Sequence, residues 1–486
     1  MPSRFSSSHA SRRLALLAAS LPLLALSGGA APSQPGSAPK APATAAAPKS
    51  KIPTIKFEQY TLSNGLRVIL APDKNAPVVA VSVTYDVGSR NEREGRTGFA
   101  HLFEHMMFQG SQNVGKGEHI FLIQNSGGSF NGTTNQDRTN YFETLPANQL
   151  ELGLFLESDR MRGLDVSQEN LDNQRSVVQE ERRQNYDNRA YGQSFEAMLD
   201  LAYGNFAYKH STIGSMADLN AATLEDVRSF FKTYYAPNRA VLALVGDFDK
   251  KQAKQLIEKY FGPIARQPEP PKVDVAEPLA FSGERRKTIN DSLARQPQWV
   301  AGYITVPGDH PDFYPLAALG EVLSGGRNSR FYQTLVEKNI ALRASARPSE
   351  GRGSALFSIS VTLPPDNDPA DAEKIVDAEI VRVQESGITA EELERFKASA
   401  RASAASSYGT ALGKANALSM YAVYFNDPNR VNNELGKQEA VTAADIQRVA
   451  KKYLVKENRA IVLTLPLRSG TPSAAAPRTS QETNAK

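Results

Sequence analysis

Thr223-Leu-Glu-Asp-Val-Arg-Ser-Phe-Phe-Lys-Thr-Tyr234, with Asn238-Arg-Ala-Val-Leu-Ala-Leu-Val-Gly246 after it, returns about 220 residues later as Thr442-Ala-Ala-Asp-Ile-Gln-Arg-Val-Ala-Lys-Lys-Tyr453 and Asn458-Arg-Ala-Ile-Val-Leu-Thr-Leu465. In both copies a threonine with an aspartate three residues on caps an amphipathic helix. An Asn-Arg-Ala turn and an apolar strand follow each time. Further upstream, Val78-Val-Ala-Val-Ser-Val-Thr-Tyr85 is matched by Trp299-Val-Ala-Gly-Tyr-Ile-Thr-Val306. Several elements repeated in the same order imply a duplicated pair of α/β units, joined by the Pro-rich stretch Arg266 to Phe281. More than 400 residues follow Lys56, too many for one core and enough for two domains of about 200 each.

The first unit carries Gly98-Phe-Ala-His-Leu-Phe-Glu-His-Met-Met-Phe-Gln-Gly110, which contains His-x-x-Glu-His. On a helix His101 and His105 stand at i and i+4 on one face, so both imidazoles can reach one metal ion with Glu104 beside it. Two histidines are an incomplete catalytic zinc site, which normally takes three protein ligands and a water. Downstream lies Leu171-Asp-Asn-Gln-Arg-Ser-Val-Val-Gln-Glu-Glu-Arg-Arg-Gln-Asn185, a helix-forming stretch with Val177-Val178 as its apolar pair. Spacing alone leaves Glu180 and Glu181 both open as the third ligand.

Glu181 follows His105 with 75 residues between, and here the chain resembles the insulinase-like metallopeptidases, the pitrilysin and mitochondrial-processing-peptidase family. The resemblance implies an α+β fold of two homologous α/β-roll domains, mostly antiparallel sheet flanked by helices and related by internal duplication. It implies one Zn2+ per chain held by His101, His105 and Glu181, with Glu104 as general base. The family's further glutamate, seven residues before the ligand, is replaced by Gln174, so a supporting carboxylate is missing. Gly127-Gly-Ser-Phe-Asn-Gly-Thr-Thr-Asn-Gln-Asp-Arg-Thr-Asn-Tyr-Phe142 looks like the family's edge strand, which takes up extended peptide by main-chain hydrogen bonds, with Asn131 at its characteristic asparagine.

At the place of the metal motif the second copy has Leu316-Ala-Ala-Leu-Gly-Glu-Val-Leu323, without histidine. In the family this inactive half often binds substrate through an arginine and a tyrosine after a Gly-rich turn. Gly325-Gly-Arg-Asn-Ser-Arg-Phe-Tyr332 matches that turn, but Val336 stands at the arginine's place and Leu342 or Arg343 at the tyrosine's. Gly325 to Arg330 lacks the Gly-Lys-Ser/Thr ending of a phosphate loop. Short two-domain chains of the family assemble in pairs. The resemblance therefore implies a heterodimer with a metal-free homologous subunit, or a homodimer, acting on peptide.

Arg4, Arg12 and Arg13 precede the apolar run Leu14 to Leu26 and the small residues Ser27 to Ala31, the order of a secretory signal peptide. That run is too short for a permanent membrane span, which needs about 20 apolar residues. The absence of cysteine agrees with export to an oxidising space and excludes thiolate chemistry. A net charge of +4 without a basic block gives no reason to expect nucleic acid.

The expected organisation is a signal peptide at 1–30, an Ala/Pro-rich linker at 31–53, a zinc-binding peptidase domain at 54–265, a linker at 266–285, a metal-free homologous domain at 286–467 and a disordered tail at 468–486. The expected function is that of a periplasmic or secreted zinc endopeptidase. The alternative is a zinc-bearing binding or assembly subunit.

Overall fold

The computed structural model describes residues 53–278, 281 and 283–467. The expected signal peptide, nearly all of the Ala/Pro-rich linker and the C-terminal tail lie outside the described residues.

Among the described residues, eleven strands form two sheets. The first comprises β1 (Glu58–Thr61), β2 (Arg67–Pro72), β3 (Val78–Tyr85), β4 (Ser129–Thr134), β5 (Thr139–Pro146) and β6 (Ala240–Gly246), in the order β1-β2-β6-β3-β5-β4. The second comprises β7 (Arg285–Asp291), β8 (Gln298–Thr305), β9 (Arg343–Pro348), β10 (Ala355–Thr362) and β11 (Arg459–Pro466), in the order β7-β11-β8-β10-β9. Apart from the extra β1, the two orders coincide. In each sheet one parallel pair, β2 with β6 and β7 with β11, sits beside antiparallel ones, four in the first sheet and three in the second. This is the α+β duplication implied by the repeated segments. Thr223 and Thr442 both close a capping box with the aspartate three residues on.

β6 is buried along its whole length, and its continuous apolar run reflects cover on both faces. Leu242 and Leu244 point into the main core of the first half. Val241, Ala243 and Val245 point the other way, against the helix Ala411–Phe425, which the second half contributes. Ser82 and Thr84 of β3 meet the same helix through hydrogen bonds to Asn416 (2.9 Å) and Ser419 (2.8 Å).

The first half provides α1 (Phe99–Met106), α2 (Glu118–Asn125), α3 (Leu150–Arg162), α4 (Gln168–Arg182) and α5 (Gly192–Ala202). Its α5 returns the exchange by packing on β7, β8 and β11 of the second sheet. Each half thus lends a helix to cover the other's sheet. Among the described residues no helix is long and apolar enough to cross a membrane.

Candidate metal centre

In α1 the apolar side chains Phe99, Leu102, Phe103 and Met106 sink into the core. Helical periodicity then leaves His101, Glu104 and His105 on the opposite, partly exposed side. The helix begins at Gly98, in the left-handed region at φ 88°, where an added Cβ would fall 2.6 Å from the Ile213 carbonyl oxygen. Buried Glu92 accepts hydrogen bonds from the N–H groups of Gly98 (2.9 Å) and Ala100 (2.8 Å). A carboxylate there satisfies first-turn donors and complements the helix dipole. The start of the metal helix is thereby fixed in place.

Alongside runs α4, capped by Ser167, whose hydroxyl accepts from the Asn170 N–H at 3.4 Å. Of the expected apolar pair only Val178 is buried. Val177 is 43% exposed, since adjacent helical residues point about 100° apart. The same geometry separates the two candidate glutamates. Glu180 is exposed and bonded by Arg183 and Gln184, each at 3.0 Å. Glu181 faces α1, with its Oε2 3.6 Å from His101 Nε2 and 3.4 Å from His105 Nε2.

Those three ligand atoms fit a metal. A tetrahedral ion with ligands at about 2.0–2.1 Å has ligand-to-ligand edges of about 3.3–3.4 Å. Two imidazoles and one carboxylate also make a donor set that zinc accepts. Burial and the neighbouring His105 hold the His101 imidazole down to about 4, so its ring is neutral at physiological pH and free to donate a lone pair. The hydrogen bond from His105 lowers Glu181 and keeps it ionised. Behind this set the support is thin. Among the described residues His101 Nδ1 is buried without a partner, and Gln174 lies buried on α4 with its amide donating to Asn173 at 2.7 Å.

Glu104 stands beside these three candidate ligands without belonging to them. Burial pushes its carboxyl up, while the Thr134 hydroxyl, donating to Oε2 at 2.6 Å, opposes that shift. Neither Thr134 nor the close-packed Gly132 was singled out by motif, because both meet Glu104 only through the fold. Asn131 is exposed on β4, where its Oδ1 accepts from the Gly132 N–H at 2.9 Å. Thr133 and Thr134, not Asn131, line the adjoining cavity. β4 is an edge strand, paired only with β5 among the described residues.

The cavity, of about 1020 Å³, is bounded by His101, Glu104 and Glu181 on one side and by residues of β8, β9 and β10 on the other. The helix Phe313–Ser324, at the place of α1 in the second half, is almost wholly buried and offers no imidazole.

A second convergence lies in the core, where ligand atoms of His119, Glu143 and Glu157 approach within 4.8 Å of one another. Arg160 already pairs with Glu157 there, through Nε at 3.0 Å, and lies over the Tyr141 ring. Its members come from three separate elements, α2, β5 and α3, so no local spacing announces the cluster.

The family model described as insulinase (peptidase family M16) matches residues 67–215, and that described as peptidase M16 inactive domain matches residues 221–400. The zinc protease PqqE of Helicobacter pylori is 29% identical over 416 residues, covering 85% of this chain and 93% of that protein. A crystal structure of a protease from Helicobacter pylori superposes with a TM-score of 0.81 at 28% identity, covering 85% of this chain and 100% of that one. A peptidase M16 inactive domain from Pseudomonas fluorescens shares the fold, with a TM-score of 0.76 at 15% identity over 86% of this chain and 99% of that one.

Proposed function

Because this chain belongs to the insulinase family, peptidase family M16, we propose that it is an exported zinc-dependent endopeptidase, cutting peptides or unfolded segments within a dimeric chamber. In this reading His101, His105 and Glu181 hold the metal, Glu104 is the general base and β4 with Asn131 receives the substrate. The observation that carries it is the approach of two imidazole nitrogens to one carboxylate oxygen, at 3.4 and 3.6 Å, with a fourth side chain left over as a base. A purely structural zinc site is normally closed by four protein ligands and needs no base.

Zinc bound there would polarise the scissile carbonyl and bring the pKa of a water to about 7. Glu104 then takes the proton of the attacking water and delivers it to the leaving amine nitrogen, a role worth roughly 10²–10⁴-fold in rate. Its Oε2 is held by Thr134, and Oε1 has no hydrogen bond among the described residues, which leaves it available for the proton. The free side of β4 can accept an extended peptide as an added strand, a mode that gives affinity through the main chain.

A second reading, a zinc-bearing assembly subunit with little catalysis, draws on the unpartnered Nδ1 of His101 and on Gln174, since outer partners usually orient metal-bound histidines. Hydrolysis of a quenched fluorescent peptide library by residues 32–486, compared with Glu104→Gln at equal zinc content, separates the two. Cleavage lost in the variant supports the peptidase. No cleavage by either protein moves the chain to the second reading. Co-purification from the native source decides between a second copy and a metal-free homologous subunit as the partner.

A further inference from the structure

The wall facing the metal centre is positively charged. Arg189, Arg343 and Arg347 line the same cavity as His101, Glu104 and Glu181, and all three are exposed. The nearby Arg175, Arg182 and Arg352 are each held by a carboxylate. The three cavity arginines have no such partner among the described residues. The cavity's carboxylates are Glu104 and Glu181, whose two charges a divalent ion would balance. The guanidinium charge is then uncompensated on this wall, and a cleft lined by one sign of charge raises the local concentration of ligands of the opposite sign.

β9 explains why two of the three face the same way. Its Ala346 is buried beside the helix Phe313–Ser324, where Ser324 bonds both its N–H (2.8 Å) and its carbonyl (3.0 Å). Strand alternation turns Arg343, Ser345 and Arg347 outward together. Arg343 and Arg347 are four residues apart, or about 13 Å along the strand. Among the described residues β9 is the edge of its sheet, paired only with β10. The cavity therefore has an unpaired strand edge from each half, and the edge opposite the metal carries fixed cations. Guanidinium forks receive carboxylates bidentately, with more directional preference than an ammonium has.

We infer that this cavity selects extended peptide segments carrying aspartate or glutamate side chains, received by Arg343 and Arg347 on β9 and by Arg189 beyond α4. The inference rests on the peptidase reading for the identity of the ligand as peptide. A free C-terminal carboxylate offers the same chemistry, and the test separates it from side chains.

The test uses zinc-loaded Glu104→Gln protein, which binds without cutting, and peptides of one length carrying two glutamates, two glutamines or two lysines. Each is made as a C-terminal acid and as an amide, with an uncharged fluorophore read by anisotropy. The acidic peptide is expected to bind at least ten-fold more tightly than the neutral one, and the lysine peptide more weakly than either, whatever the C-terminus. Arg343→Glu combined with Arg347→Glu, both at exposed positions, should reverse the order. Equal affinities, or a preference that follows only the free C-terminus, would overturn the assignment. If the binding order holds while wild-type protein cuts none of the peptides, the charge assignment stands and the peptidase reading fails.

Discussion

Gly132 of β4 packs directly against Glu104: a Cβ at this glycine would lie 2.9 Å from Glu104 Cγ and 3.1 Å from Oε1. No metal ligand is among those nearest atoms. Gly132→Ala is therefore expected to displace the base and to spare the zinc. Turnover should fall on the order of 10–100-fold, since small misplacements of a catalytic group cost that much. Zinc content, measured by mass spectrometry of the purified protein, should stay at wild-type stoichiometry; a variant that loses its metal would show that β4 supports the ligands instead.

Ligand and base substitutions should part company in the same two measurements. His101→Ala and Glu181→Ala each remove one of three ligands, so both zinc and hydrolysis should be lost. Glu104→Gln should retain zinc and lose roughly 10²–10⁴-fold in rate. Glu180→Ala, on the outer face with Arg183, should leave both unchanged. If Glu180→Ala loses zinc and Glu181→Ala does not, the third ligand has been assigned to the wrong neighbour.

The buried cluster in the core makes stability depend on pH. Burial raises both Glu143 and Glu157, but Arg160 donates to Glu157 and no cation bonds Glu143 among the described residues, so Glu143 is the carboxyl that keeps a proton. Burial pushes it up to about 7, above its unfolded value. A raised carboxyl pKa gives stability that is complete below the unfolded pKa and is lost as pH rises through the folded one. Glu143→Gln cannot ionise, so it should gain on the wild type in thermal unfolding between pH 5.5 and pH 8.5. The same difference between the two proteins at both pH values would show that Glu143 does not titrate in this range.

Breaking the pair is a harsher change. Glu157→Gln leaves the fully buried Arg160 guanidinium facing a neutral group, and removing one partner of a buried ion pair costs about 3–5 kcal/mol. Denaturant unfolding monitored at the single Trp299 measures this. A loss below about 1 kcal/mol would mean that water or a neighbouring group already shares the arginine's charge.

Much of this architecture could be read from the chain because its signals are local. A threonine cap, an amphipathic turn and an apolar strand lie within 25 residues, and both copies carry them at Thr223 and Thr442. His101, Glu104 and His105 are legible for the same reason, since one helix turn sets their spacing. Contacts that the fold creates at a distance were not. Gly132 and Thr134 become partners of Glu104 only when β4 passes over α1. Motif positions put Val336 at the place of the family's arginine and Leu342 or Arg343 at that of its tyrosine, without saying which side chains face the cavity. Strand alternation along β9 instead places Arg343 and Arg347 on the cavity wall.

The exchanged helices were equally illegible, and they carry the last prediction. Ala411–Phe425 is buried on several sides, so it has no clean apolar stripe to announce its partner, and that partner is more than 160 residues away in β6. Expressed alone, residues 54–265 would leave Val241, Ala243 and Val245 uncovered on one face of the first sheet. An exposed apolar sheet face of that kind favours association. The isolated half should therefore aggregate or bind a hydrophobic dye, while co-expression with residues 266–467 should restore a soluble, cooperatively unfolding protein. In the intact chain Leu418→Ala, at a fully buried position of the lent helix, should cost about 2–5 kcal/mol. Independent folding of the first half, with the unfolding midpoint of the whole, would mean that the exchange orients the two halves without stabilising them.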